Sequence, residues 1–265
     1  MEIAGYFASA LIGISLGLIG GGGSILTMPV LVYLFNVSPA LATSYSLFVV
    51  GSSSLVGAWN NYKNGLVRIR TALLFGIASI ATVFLTRKFI MPAIPEEIAH
   101  IRSHTITKEL LIMVLFAALM LSSAVSMIRA VLGSKTNAAA DKSTPLLKLL
   151  MNGLGIGLVT GLLGAGGGFL LIPSLVLLVR LPMKEAIGTS LLIIALNSLI
   201  GFTGDLGHQR IDWGLLLTIS LMSIAGIFVG GHLSKRIRGE KLKAGFGWFV
   251  LAMGIYIMAR EILFA

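Results

Sequence analysis

Long apolar runs, separated by short polar stretches, make up most of the chain. Most runs approach the roughly 20 residues that a helix needs to cross a bilayer. Two are shorter, and as helices residues 24–35 and 168–179 would each reach only about 18 Å. The runs are 3–19, 24–35, 41–59, 71–91, 110–132, 149–163, 168–179, 186–203, 213–231 and 244–263. They do not alternate as barrel strands do, so the pattern predicts an all-α integral membrane protein.

Each short run follows a cluster of glycines, and the two clusters belong to a repeat. The stretch "GLIGGGGSILTMP" (17–29) returns as "GLLGAGGGFLLIP" (161–173), 144 positions later. The same offset pairs Ser46 with Ser190 and Phe84 with Phe228. We therefore predict an N-terminal repeat (1–132), a polar cytoplasmic linker (133–148) and a C-terminal repeat (149–265). The first half also carries extra residues at 90–106.

Positive charge predicts how the two halves are oriented, because cytoplasmic loops are enriched in Lys and Arg. If each short run pairs with the run before it in a hairpin, each half has three further transmembrane helices, and the second half is inverted. This topology places 14 of the 20 Lys and Arg residues in the cytoplasm and both termini outside. It counts Arg87 among the outer charges. A topology with parallel halves would put the basic cluster at 235–243 outside, so we expect inverted repeats.

Glycine clusters beside half-length segments predict helix breaks inside the membrane. The first N–H groups of a helix lack partners and carry partial positive charge. Glycine leaves no side chain between those donors and an anion. Paired broken segments in inverted repeats are typical of secondary transporters. Close helix packing is the alternative for a single glycine run, but the duplication favours a binding site. The candidate donors are Gly20, Gly21, Gly22, Gly23, Gly164, Gly166, Gly167 and Gly168.

Hydroxyl and amide side chains follow the breaks in both halves, in "TSYS" (43–46) and "GTS" (188–190). They can donate to anion oxygens without adding charge, although bonds between helices are the alternative. The candidate side chains are Ser24, Thr43, Ser44, Ser46, Thr189, Ser190 and Asn197. Asp205, at the end of a span, is a candidate for proton coupling. An ordinary helix-end residue is the alternative there.

Composition and charge exclude several other classes. Charged residues make up 11% of the chain, against about 25% in a soluble domain, and the mean hydropathy is +0.97. The net charge of +10 fits basic cytoplasmic loops better than nucleic-acid binding. The sequence has no cysteine and no catalytic motif, and His100 and His104 lack a carboxylate partner. We expect no enzymatic activity, no cofactor and no metal site. The expected partners are a small anion and the bilayer, and a homodimer stays open.

The two Gly-rich segments, with "ATSYSLFVV" and "AIGTSLLIIALNSLIGF" after them, resemble the TauE/SafE family of sulfite and organosulfonate exporters over essentially the whole chain. The resemblance implies an inner-membrane permease that exports sulfite, sulfoacetate or related sulfonates, driven by the proton gradient or the membrane potential. It also implies that both glycine clusters form broken helices and that Thr43, Ser44, Thr189 and Ser190 line the path. Alternating access between repeats is the expected mechanism. An anion channel or uniporter, or a permease for a non-sulfur anion, are the alternatives.

Overall fold

The computed structural model describes residues 2–101, 104–132, 146–164, 166–207, 211–234, 237 and 239–264, and these are mainly helical. The helices are α1 (Glu2–Ile19), α2 (Gly22–Tyr33), α3 (Pro39–Lys63), α4 (Ile69–Leu85), α5 (Met91–Ala93), α6 (Lys108–Leu132), α7 (Leu146–Leu163), α8 (Gly168–Leu177), α9 (Met183–Asp205), α10 (Trp213–Ser234) and α11 (Gly239–Phe264). A π-helical turn, Thr86–Ile90, joins α4 to α5. These bounds follow the predicted apolar runs closely. Residues 133–145 of the predicted linker lie outside the described residues.

The extra residues of the first half form a β-hairpin, which the all-α prediction missed. Strands β1 (Glu97–Ile101) and β2 (His104–Thr107) pair antiparallel, with Ile101 opposite His104. Isoleucine and threonine are frequent in this segment, and β-branched residues favour strands. The hairpin is too short to change the architecture, which is a helical bundle.

Five of the described helices are long and apolar enough to cross a membrane. They are Pro39–Lys63, Ile69–Ala93, Lys108–Val125, Met183–Asp205 and Trp213–Ser234, and shorter apolar helices cover Gly5–Ile19, Gly23–Tyr33 and Leu149–Leu163. Large apolar side chains such as Phe7, Ile77 and Leu221 are more than 60% exposed. Exposure of large apolar side chains to water is unfavourable, so these outer faces are suited to contact lipid. The chain is therefore a multi-pass membrane protein.

α1 and α2 fold back on each other as a helical hairpin. At its tip Gly20 has a φ of 77°, a conformation that glycine adopts without the steric cost of a side chain. A Cβ at Gly23 would meet Ile12, and one at Gly5 would meet the ring of Phe35. These contacts bring both ends of the hairpin to the same end of the bundle. In the second half Gly167 lies against Thr160 in the equivalent way, at the turn between α7 and α8.

Glycines on the long arms of the hairpins allow close helix packing. α1 packs against α10 and α7 packs against α4, through small residues that let two backbones approach. A Cβ at Gly226 or Gly230 would collide with the carbonyl oxygens of Ala10 or Ile14. The packing role considered for glycine is therefore correct for these positions, whereas Gly20 and Gly164 lie at helix breaks.

α3 and α9 form the centre of the bundle and run antiparallel. Ser44 contacts Asp205, while Gly51 lies beside Leu199, so the start of one helix meets the end of the other. The apolar windows of α3 and α9 are 67% and 72% buried, against 33% for the window in Ile69–Ala93. Their burial places the candidate polar residues of both helices in the protein interior.

Candidate functional site

The two helix breaks touch each other inside the bundle. A Cβ at Gly168 would lie 2.5 Å from the Cα of Gly21, and a Cβ at Gly21 would collide with the backbone of Gly168. α2 and α8 therefore begin side by side. Neither helix has a side-chain cap at its N-terminus, where Gly21 and Gly167 are the capping residues. Two sets of N-terminal N–H groups, each with partial positive charge, meet in a buried region.

Hydroxyl groups stabilise the first break. Ser24 donates to the carbonyl of Gly21 at 2.7 Å. The Ser190 hydroxyl lies 3.1 Å from the carbonyl oxygen of Gly20 and 2.9 Å from that of Ile187. Both serines are fully buried. These contacts place hydroxyl groups against backbone carbonyl oxygens at the first break, including that of Gly20.

The second break has buried hydroxyl groups without partners. Thr160 and Ser198 are fully buried, and their hydroxyl oxygens have no hydrogen-bond partner. A Cβ at Gly166 would lie 3.0 Å from the Ser198 hydroxyl, and one at Gly167 would collide with that of Thr160. Leaving a buried hydroxyl unpaired costs free energy, so these two groups are available to a ligand at the break.

A buried ion pair lies beside the second break. The Arg87 side chain is 1% exposed, and its Nη1 donates to Asp205 at 3.0 Å and to Thr43 at 2.9 Å. Ser44 donates to the same carboxylate oxygen at 2.6 Å. From the sequence we placed Arg87 among the outer charges and did not predict that its side chain is buried. Asp205 ends α9, as expected, but it takes part in this buried cluster rather than acting as an ordinary helix-end residue.

The local backbone explains how Arg87 reaches the interior. Arg87 lies in the π-helical turn that follows α4, and π turns are frequent at functional sites. A Cβ at Gly204 would lie 3.0 Å from the Cβ of Arg87, and one at Gly164 would lie 2.6 Å from its Nη2. Gly204 and Gly164 have no side chains, and this leaves room for the arginine to pack against them. A signal for Arg87 existed in the sequence, since it falls inside the apolar run 71–91 and an ionisable residue in a span indicates function.

The remaining predicted polar residues link α9 to its neighbours. Thr189 accepts from the backbone N–H of Arg68 at 3.0 Å, and the Asn197 amide donates to Ser79 of α4 at 2.6 Å. The Ser46 hydroxyl and the Asn197 carbonyl oxygen are buried without a partner. The contacts of Thr189 and Asn197 match the alternative in which such groups join helices.

The two ends of the bundle differ although the repeat relates them. At the offset of 144, Arg87 corresponds to Gly231 and Asp205 to Asn61. At that second end lies a pocket. It is lined by Asn60, Asn61, Asn64, Leu66, Met183, Lys184, Ile187, Gly231, Ser234 and Ile237. Ile187, one of these lining residues, also packs against Gly20 of the first break. The ion pair lies at one end of the bundle, and at the equivalent position of the other end a glycine leaves room.

Apolar spans, paired helix breaks and a buried polar centre define a multi-pass membrane transporter. Residues 6–257 match the family model described as "Sulfite exporter TauE/SafE". The chain belongs to this family.

Relatives with curated descriptions agree with this class. A "Probable membrane transporter protein" of Xylella fastidiosa (strain 9a5c) is 29% identical over 96% of this chain and 94% of its own. A protein of the same description from Haemophilus influenzae is 26% identical over 95% and 96% of the two chains. "Probable membrane transporter protein YdhB" of Bacillus subtilis is 24% identical over 88% and 91%. No solved structure matches the chain.

Proposed function

We propose that the protein is a secondary transporter that exports small sulfur-containing anions, such as sulfite, sulfoacetate or related organosulfonates, across the inner membrane. The observation that carries the proposal is the meeting of two uncapped helix N-termini at Gly21 and Gly168. The buried, unpartnered hydroxyls of Thr160 and Ser198 lie at the same place. N–H and O–H donors without added charge suit an oxyanion.

The chemistry of the buried centre favours an anion over a cation. Among the described residues Asp205 is the one buried carboxylate, and Arg87 already pairs with it. A cation would need carbonyl or carboxylate oxygens, whereas the unpartnered groups at the second break are the hydroxyls of Thr160 and Ser198. Asp205 remains the candidate for proton coupling.

We propose alternating access between two inverted repeats as the mechanism. The antiparallel crossing of α3 and α9, which the repeat relates, supports the inverted arrangement. So does the return of the α1–α2 hairpin to its starting end. With both termini outside, the pocket beside Asn61 faces the cytoplasm and the Arg87 end faces outward. A cytoplasm-negative potential then favours anion exit by about 2.3 kcal/mol per charge at 100 mV.

A thermal-stability screen of the purified chain tests the substrate class. We expect sulfite or a sulfonate to raise the melting temperature in a saturable way, because a ligand that binds only the folded state stabilises it by mass action. Stabilisation by a simple carboxylate or a cation, with no effect of any sulfur oxyanion, would contradict the substrate class. In proteoliposomes the stabilising anion should show saturable counter-exchange, whereas single-channel currents would identify a channel.

A further inference from the structure

We infer that Arg87 binds the transported anion directly, through the edge of its guanidinium group formed by Nε and Nη2. This inference rests on the proposed function and names a binding residue that the glycine breaks alone do not supply. The nitrogens of the Arg87 guanidinium group differ in their hydrogen bonding. Nη1 makes both of the hydrogen bonds described above, to Asp205 and Thr43, while Nε and Nη2 have no partner.

The two free nitrogens form a pair with a specific geometry. Nε–H and the neighbouring Nη2–H of a guanidinium group point in parallel, and such a fork binds two oxygens of one oxyanion at once. Asp205 and Thr43 occupy only the remaining nitrogen. They hold the group in place without using the fork. The arrangement therefore leaves open the edge that recognises oxyanions best.

The position and burial of this fork point to a ligand. Nη2 lies 2.6 Å from where a Cβ of Gly164 would be, so the fork borders the break that precedes α8. The whole side chain is almost fully buried. Buried guanidinium donors without acceptors are costly, and an oxyanion seated at the break would satisfy them. The same anion could accept from Thr160 or Ser198, whose hydroxyls face the neighbouring glycines.

The repeat shows that this fork is specific to one end. Gly231 stands at the position equivalent to Arg87, and Asn61 at the position equivalent to Asp205. The cytoplasmic end therefore offers amides and space, while the outer end offers a cation. Because Arg87 is almost fully buried, anion binding at the fork would require Gly164 to separate from the backbone of Thr43, against which it packs. The ligand class is an anion with at least two oxygens on one centre, such as sulfite or a sulfonate.

Two variants of the full-length chain test the inference, with sodium sulfite as the probe and calorimetric titration as the measurement. Arg87→Lys keeps the charge and can still pair with Asp205, but it has no fork, so the Kd for sulfite should rise at least tenfold. The double variant Arg87→Gln with Asp205→Asn removes both charges and leaves no lone buried ion. It should remain folded and lose sulfite binding. Monodispersity in detergent checks that both variants are folded.

The exposed pair of Arg68 and Glu185, 2.7 Å apart at the other end of the bundle, provides the matched control. Arg68→Gln with Glu185→Gln should leave the Kd for sulfite within twofold of the wild type. Chloride is monatomic and has no pair of oxygens for the fork. It should bind the wild type and Arg87→Lys with the same weak affinity. If wild-type protein binds sulfite and both Arg87 variants bind it equally well, the inference is wrong and the proposed function stands. If wild-type protein binds no sulfur oxyanion, the proposed function fails together with it.

Discussion

At the scale of single residues, the second break depends on a glycine that no other residue can replace without strain. Gly164 has a φ of 66°. A Cβ there would collide with the carbonyl of Thr43 and approach Arg87. Both the backbone conformation and the available space therefore require a hydrogen at this position. The result is that α7 ends where Arg87 and the start of α8 can come together.

We expect Gly164→Ala to lower the free energy of unfolding by about 2 kcal/mol or more, from the combined cost of a left-handed alanine and an overfilled contact. Gly155→Ala is the matched control. Gly155 lies in α7, the helix that Gly164 follows, and a Cβ there would meet nothing within 4 Å. Apparent melting temperatures in detergent measure both effects. Equal melting temperatures for the two variants would show that the break tolerates a side chain.

At the scale of elements, the helical hairpins are held by close packing of small residues. Gly226 and Gly230 of α10 lie against the backbone of α1, and α7 lies against α4 in the equivalent way. In a membrane, where lipid is as apolar as the side chains, such close van der Waals contact replaces the hydrophobic effect as the source of helix association. The position of each break therefore depends on contacts several turns away from it.

Gly230→Ala should destabilise the bundle by about 1–3 kcal/mol, because an extra methyl group has no room there. Gly231→Ala, one residue further along, should change stability by less than about 0.5 kcal/mol. At Gly231 the nearest atom to an added Cβ is the Asn60 amide nitrogen, at an ordinary 3.6 Å. Unfolding in detergent compares the pair. A Gly231 variant that is as unstable as the Gly230 variant would contradict this account of the packing.

At the scale of the whole molecule, the two ends of the bundle carry different polar side chains. The Arg87–Asp205 pair lies at the first, and Asn60, Asn61 and Gly231 line a pocket at the second. The halves share their helices but differ in these few side chains. Alternating access would require the site between them to become accessible from each end in turn.

The absence of cysteine from the sequence allows the orientation to be tested with single-cysteine variants. Asn64→Cys, beside the pocket, should react with a membrane-impermeant thiol reagent only in inside-out vesicles. Leu206→Cys, which replaces a 45% exposed side chain at the other end, should react only in intact cells. The unmodified chain is the unlabelled control. Labelling of both variants from the same side would rule out the inverted arrangement.

The elements could be predicted because each depends on a local pattern. The length of an apolar run fixes whether a helix can span the membrane, and α3, α9 and α10 follow such runs closely. Gly20 and Gly164 could be identified as breaks because their clusters recur next to half-length runs. The β-hairpin was missed because its strands are short and lie in a polar insertion, where no apolar period distinguishes strand from loop.

The partners of individual side chains could not be predicted in the same way. Arg87 and Asp205 are 118 residues apart, and Thr160 and Ser198 approach the second break from two different helices. Each of these contacts depends on which helix faces come together, and a single sequence carries little information about that. Thr189 and Asn197 were selected for their chemistry, and their observed partners are Arg68 and Ser79.

The sequence by itself determined a helical membrane protein with two related halves and a glycine break in each, because hydrophobic length and glycine flexibility act locally along the chain. The repeat led us to expect that the two breaks meet, but only the tertiary structure decided that they do so at Gly21 and Gly168, and that a buried arginine keeps two donors free beside one of them. The reason is that burial and pairing depend on distances between segments remote in sequence, which are set when the helices pack.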